Sequence, residues 1–115
     1  MERTPLGFLL VAVGGFVGSV ARYGVDLAVG DATGLGTLIV NVGGALALGI
    51  LVGRTTTTRT QLFVGAGALS SFTTYSTFVG DAVALGTAGG AAYVAASYGA
   101  GFAGGALGLL AGRRL

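Results

Sequence analysis

The apolar and polar positions divide the chain into four long apolar stretches separated by three short breaks. The stretches run over 5–29, 35–53, 61–85 and 90–112. The breaks are Gly-Asp-Ala-Thr-Gly at 30–34, Arg-Thr-Thr-Thr-Thr-Arg at 54–59 and Gly-Thr-Ala-Gly at 86–89. Each stretch is close to the ~20 residues that a helix needs to cross ~30 Å of hydrocarbon. None alternates with the period of two that a barrel strand requires. Helices are then the only way to pair the backbone within lipid. The pattern predicts an all-α membrane protein with four transmembrane helices, forming a single unit over 1–115.

Composition strengthens that reading. Hydrophobic residues make up 53% of the 115 positions and charged residues 9%, against roughly 25% charged in a soluble domain. A chain this short buries too little of its own surface to hide so much apolar material from water. The 24 glycines show no three-residue period and suit helices whose backbones approach closely. Small residues recur four apart: Gly14 and Gly18, Gly49 and Gly53, Gly101 and Gly105, then Gly104, Gly108 and Gly112. Two glycine-rich fragments, GGFVGS and GAGALS, lack the preceding strand that a phosphate loop needs.

Charge and chemistry narrow the function classes. The chain has no cysteine and no histidine, which removes thiol chemistry, disulfides, the usual zinc sites and the commonest general base. No nucleophile–base pair stands out, so no enzyme is expected. The net charge of +2 contains no basic run long enough for nucleic acid. The N-terminus does not read as a cleavable signal, because its apolar run continues too far without a small-residue cleavage site. Four crossings place both termini and the 54–59 break on one side, with Arg3, Arg54, Arg59, Arg113 and Arg114. Arg22 and Asp31 fall toward the other side. The arginine bias predicts cytoplasmic termini in a multi-pass protein of the cell membrane.

The third stretch carries an unusual cluster. In SSFTTYSTF (70–78) seven residues bear hydroxyls: Ser70, Ser71, Thr73, Thr74, Tyr75, Ser76 and Thr77. Such side chains compete for the helix backbone. The residues alone leave two readings open. In one, the third helix is interrupted mid-membrane and its freed carbonyls hold a cation. In the other, it runs on and its hydroxyls bond back to carbonyls four residues earlier. Other polar residues fall within the spans. Asn41 sits midway along the second stretch, where interhelical hydrogen bonding is the plainer role. Arg22 has Asp26 one turn on, and Asp81 lies near the end of the third stretch. Tyr93 and Ser97, four apart, share one helix face.

Three segments together, GGFVGSVARY in the first stretch, GTLIVNVGG in the second and FTTYSTF in the third, resemble the Fluc/CrcB family of fluoride channels in order, spacing and total length. The resemblance implies an antiparallel dimer of four-helix subunits, each with its third helix broken mid-membrane. It also implies passive export of cytoplasmic fluoride, and hence fluoride resistance. A structural sodium ion (Na+), not transported, is implied at the dimer centre, held by backbone carbonyls that fall on Ser70 and Thr73. Ser70 stands where the family usually has glycine. Asn41 matches the pore asparagine, Tyr75 and Phe78 match two pore phenylalanines, and Tyr93, Ser97 and Thr77 match a polar track. Arg22 matches a vestibule arginine, and Asp81 stands where the family commonly has glutamate. The partners implied are fluoride, the lipid bilayer and a second subunit. The arginine bias raises a heterodimer with an oppositely oriented related chain beside the homodimer. A four-helix multidrug or cation exporter would need a carboxylate midway in its first helix, which is missing. A non-transporting assembly subunit would leave Asn41 and the hydroxyl cluster unexplained.

Overall fold

The computed structural model describes residues 4–30, 34–54 and 57–115, and nearly all of them are helical. Helix α1 (Pro5–Val29) starts where Thr4 Oγ1 accepts the Gly7 amide at 3.0 Å and Pro5 takes the first turn. The hydroxyl satisfies an orphan donor there, and proline lacks the amide that would be another. Gly30, at φ 78°, ends the helix in a conformation that favours glycine. Helix α2 (Leu35–Gly53) begins after left-handed Gly34, at φ 84°. The first two predicted stretches are therefore reproduced at both ends.

The third stretch forms two helical segments. Segment α3 (58–72) opens with a turn at Thr58–Thr60 capped by Thr57, winds as a π-helix over Gln61–Leu69, and closes as α-helix over Ser70–Phe72. Thr73 is extended, with φ −80° and ψ 161°. Helix α4 (Ser76–Ala84) follows, then α5 (Gly86–Arg114). The expected break at 86–89 lies inside α5. The chain instead reverses at Leu85 and Gly86, where φ of 79° at Gly86 makes the turn with a single glycine. The third stretch also starts earlier than expected, at Thr58 rather than Gln61.

Glycine seams hold the helices together in two pairs. On α1, a Cβ added to Gly14 would meet the Ala68 amide at 2.9 Å, and one on Gly18 would run into the Ala68 carbonyl and the Ser71 hydroxyl. Between α2 and α5, a Cβ on Gly49 would lie 2.8 Å from the Leu109 amide, and on Gly108 3.1 Å from the Ile50 amide. These are backbone-to-backbone approaches that no larger residue permits. The Gly101 and Gly105 pair belongs to no such seam: space around Gly101 is open, and the nearest atom to a Cβ on Gly105 is 3.9 Å away.

Helices α1, α2 and α5 are each long and apolar enough to cross a membrane. Large apolar side chains face outward, among them Phe16 at 71% and Phe102 at 74% exposure, as expected of a surface solvated by lipid. The chain is a multi-pass membrane protein of all-helical fold. Its long dimension of 45 Å matches a bilayer with its headgroups, about 40–45 Å. The C-terminal ends of α2 and α5 meet where a Cβ on Gly53 would lie 3.1 Å from the Arg113 amide. Arg54, Arg113 and Arg114 therefore gather at one end. Arg3 and Asp31 lie outside the described residues.

Candidate functional site

One face of α2 organises the site. Thr37, Asn41, Gly44 and Leu48 recur at helical spacing and lie along a single stripe. Thr37, buried, donates its hydroxyl to Asp81 Oδ2 at 2.7 Å, which ties α2 to α4. At Gly44 the missing side chain leaves room for the Thr73 methyl group, which any Cβ would strike. Between them Asn41 makes two bonds to one residue. Its Nδ2 donates to the Thr74 carbonyl at 2.8 Å, and its Oδ1 accepts the Thr74 amide at 2.8 Å.

Thr74 uses its side chain as well. Its Oγ1 accepts the Thr77 amide at 3.2 Å and donates to Thr77 Oγ1 at 3.2 Å. That is the pattern of an N-cap serving the first turn of α4. Upstream, several hydroxyls turn back onto their own helix. Ser70 bonds the Ala66 carbonyl, Ser71 the Gly67 carbonyl at 2.8 Å, and Thr73 the Leu69 carbonyl at 3.0 Å. Among the described residues, the carbonyls of Ser70, Ser71, Phe72 and Thr73 accept no hydrogen bond, because the amides that would continue the ladder go elsewhere or stay unpaired. Such a run of unpaired acceptors is unusual away from water.

A cleft of about 490 Å³ opens beside this segment. Asn41, Ser70, Thr73, Tyr75, Phe78 and Ser97 all line it. Phe78 is ringed by tyrosines: Tyr75 at 6.0 Å and 54°, Tyr93 at 5.5 Å and 34°, and Tyr98 at 6.1 Å and 90°. Packing of this kind fixes the ring, and with it the direction of its positive edge. The Ser97 hydroxyl is buried and finds no partner among the described residues.

The remaining expected residues do not line the cleft. The Tyr93 hydroxyl donates to the Gly34 carbonyl at 3.1 Å. Thr77 is held by Thr74, and Asp81 by Thr37. Arg22 is half-buried on α1. Asp26 directs its carboxylate at α2 rather than only along α1, with Oδ1 3.0 Å from where a Cβ on Gly36 would sit.

This arrangement sits in a chain whose residues 9–112 match the family model described as CrcB-like protein, Camphor Resistance (CrcB). The chain belongs to the CrcB-like family. Its similar relatives include the fluoride-specific ion channel FluC 1 of Natronomonas pharaonis, 44% identical over 85% of this chain and 87% of that protein. FluC 2 of Halobacterium salinarum is 48% identical over 83% of this chain and 77% of its own length. FluC 1 of Methanospirillum hungatei is 38% identical over 96% and 83%.

Reading the CrcB-like chain from sequence missed three residues of this site. Thr37 lies four before Asn41, so helical spacing alone would have found it. Tyr98 carries an aromatic signal but sits one residue off the Tyr93 and Ser97 face. Thr74 was named only as one of the clustered hydroxyls; its two bonds to Asn41 are made by its backbone, which leaves no trace in residue type.

Proposed function

We propose that this chain is a subunit of a fluoride-selective channel that lets cytoplasmic fluoride leave passively, without covalent chemistry. The observation that carries the reading is the cleft at the interruption between α3 and α4. It brings together a spare Asn41 N–H, the orphan Ser97 hydroxyl and the fixed edge of Phe78. A primary amide has two N–H donors, and Thr74 takes only one of Asn41's. Fluoride is small and strongly hydrated, so a passage must replace its water with several weak donors in series. Binding must also remain loose enough for release. The names of the relatives, fluoride-specific ion channels, support the same reading.

The interruption at 73–75 is read as the mid-membrane break of the third span. Its donor set fits a structural sodium ion. The carbonyls of Ser70 and Thr73 are unpaired among the described residues, and neutral carbonyl oxygens suit a monovalent hard cation. When bound, sodium would supply positive charge near the anion's path. Two subunits in antiparallel orientation, identical or related, would bring two such segments together in the cell membrane, with the termini of this chain cytoplasmic. Tyr75, 68% exposed in the single chain, is available to such a partner. Proteoliposomes loaded with potassium fluoride or potassium chloride provide the test. Fast valinomycin-triggered fluoride efflux with negligible chloride efflux is expected, and equal rates for the two would overturn the proposal.

A further inference from the structure

The two bonds from Asn41 to Thr74 do more than hold two helices together. The Thr74 amide belongs to the same planar, trans peptide unit as the Thr73 carbonyl, and the described residues contain no cis bond. In a trans unit the N–H and C=O point in opposite directions. Fixing the Thr74 N–H on Asn41 Oδ1 at 2.8 Å therefore aims the Thr73 oxygen away from α2. The second bond, from Nδ2 to the Thr74 carbonyl at 2.8 Å, fixes the following peptide and stops the segment from rotating. Gly44 beneath it leaves the Thr73 methyl group its place.

We infer that Asn41 is the positioning residue for the Thr73 carbonyl, the side chain that points this oxygen at the cation site. This rests on the sodium reading above and adds a role for Asn41 separate from donating to the anion. One side chain then couples the two: Asn41 lines the cleft with one N–H left over, while its oxygen sets the cation ligand. Outer partners that orient a ligand change cation affinity by about 10- to 100-fold when removed.

The test follows sodium-dependent thermal protection of the purified protein, read as the sodium concentration at half-maximal shift, alongside fluoride efflux. Asn41→Ala removes both bonds. Thr74→Pro removes the amide and, with it, the Thr74 hydroxyl, and extended Thr73, with ψ 161°, is a conformation that tolerates a following proline. Thr74→Ala keeps both backbone bonds. Asn41→Ala and Thr74→Pro are each expected to raise the sodium midpoint at least about tenfold, with Thr74→Ala staying within about threefold of wild type. The Asn41→Ala/Thr74→Pro double variant is expected to be no worse than either single change, because both break one interaction. A wild-type midpoint in Asn41→Ala would overturn the inference even if fluoride efflux is lost. If Asn41→Ala does not fold, equal midpoints for Thr74→Pro and Thr74→Ala overturn it. Wild-type protein without any sodium protection would sink the sodium reading itself, a failure visible before any variant is made.

Discussion

The Tyr93 hydroxyl donates to the Gly34 carbonyl across 3.1 Å, so its one hydrogen is committed at the head of α2. Gly34 is left-handed, and a Cβ there would sit 2.8 Å from the Tyr93 ring. The tyrosine therefore braces a turn with its hydroxyl while its ring packs on Phe78. Replacing Tyr93 with Phe keeps the ring and loses the bond. The expected cost is about 1 kcal/mol of stability, seen as a lower melting temperature in detergent, with fluoride efflux largely retained. Abolished efflux in a folded Tyr93→Phe protein would show that this hydroxyl serves the ion directly.

Ser97 should behave in the opposite way. Its buried hydroxyl is unpartnered among the described residues, so Ser97→Ala removes an unpaired polar group and recovers its desolvation, about 1 kcal/mol. The variant is expected to melt at or above the wild-type temperature. Its fluoride efflux should fall about tenfold, the loss of one donor worth ~1.4 kcal/mol at the barrier. Unchanged efflux would remove Ser97 from the passage.

Asp81 places a carboxylate beside Thr37 at 2.7 Å, one turn beyond Thr77 on α4. Asp81→Asn keeps an acceptor for the Thr37 hydroxyl and removes the negative charge. Easing that repulsion by about 1 kcal/mol is expected to raise fluoride efflux several-fold, measured at one pH with both proteins reconstituted at equal density. A fall in efflux would mean that the carboxylate assists the anion by holding Thr37 rather than opposing it.

Glycine position predicts which seams are intolerant. A Cβ on Gly108 would strike the Leu46 carbonyl and reach its carbonyl carbon at 3.0 Å, while nothing lies within 4 Å of one on Gly24. Gly108→Ala forces α2 and α5 apart, an overpacking cost of about 1–3 kcal/mol or more. Gly24→Ala in open space gains about 0.5–1 kcal/mol from a stiffer helix. Thermal denaturation followed by size-exclusion chromatography would rank the two, and equal melting temperatures would contradict the seam.

What the sequence revealed depended on which atoms carry the information. The limits of α1 and α2 were legible because glycine and polar runs mark both ends, and the paired glycines at 49 and 53 and at 104, 108 and 112 announced their seam. The cluster at 70–78 was visible as an anomaly, yet its residues allowed both readings, and the structure contains features of each. Ser70, Ser71 and Thr73 bond back into α3, while the ladder fails just beyond them. The break after Leu85 was drawn too long, as far as Gly89, because one glycine with positive φ looks like every other glycine in a chain of 24. The π winding over Gln61–Leu69 has no signature in residue type.

The arginines make the last prediction. Arg54 and Arg113 gather where α2 meets the end of α5, with Arg114 beside them. Arg59 lies in the first turn of α3 and is exposed. Arg22 lies on α1 beyond its midpoint, toward the opposite end. Positive charge near helix ends resists translocation, so that end of the chain is expected to stay cytoplasmic. A strict antiparallel homodimer would need each copy to insert both ways, which this imbalance opposes. A related chain with the reverse imbalance would instead supply the second subunit. Relatives whose names are numbered 1 and 2 are in keeping with such pairs. Fusing a reporter active only in the cytoplasm, and separately one active only outside, to the C-terminus of this chain expressed alone distinguishes the cases. Signal from the cytoplasmic reporter only is expected, together with weak fluoride efflux until a related chain is co-expressed. Comparable signal from both reporters would show dual insertion and favour a homodimer.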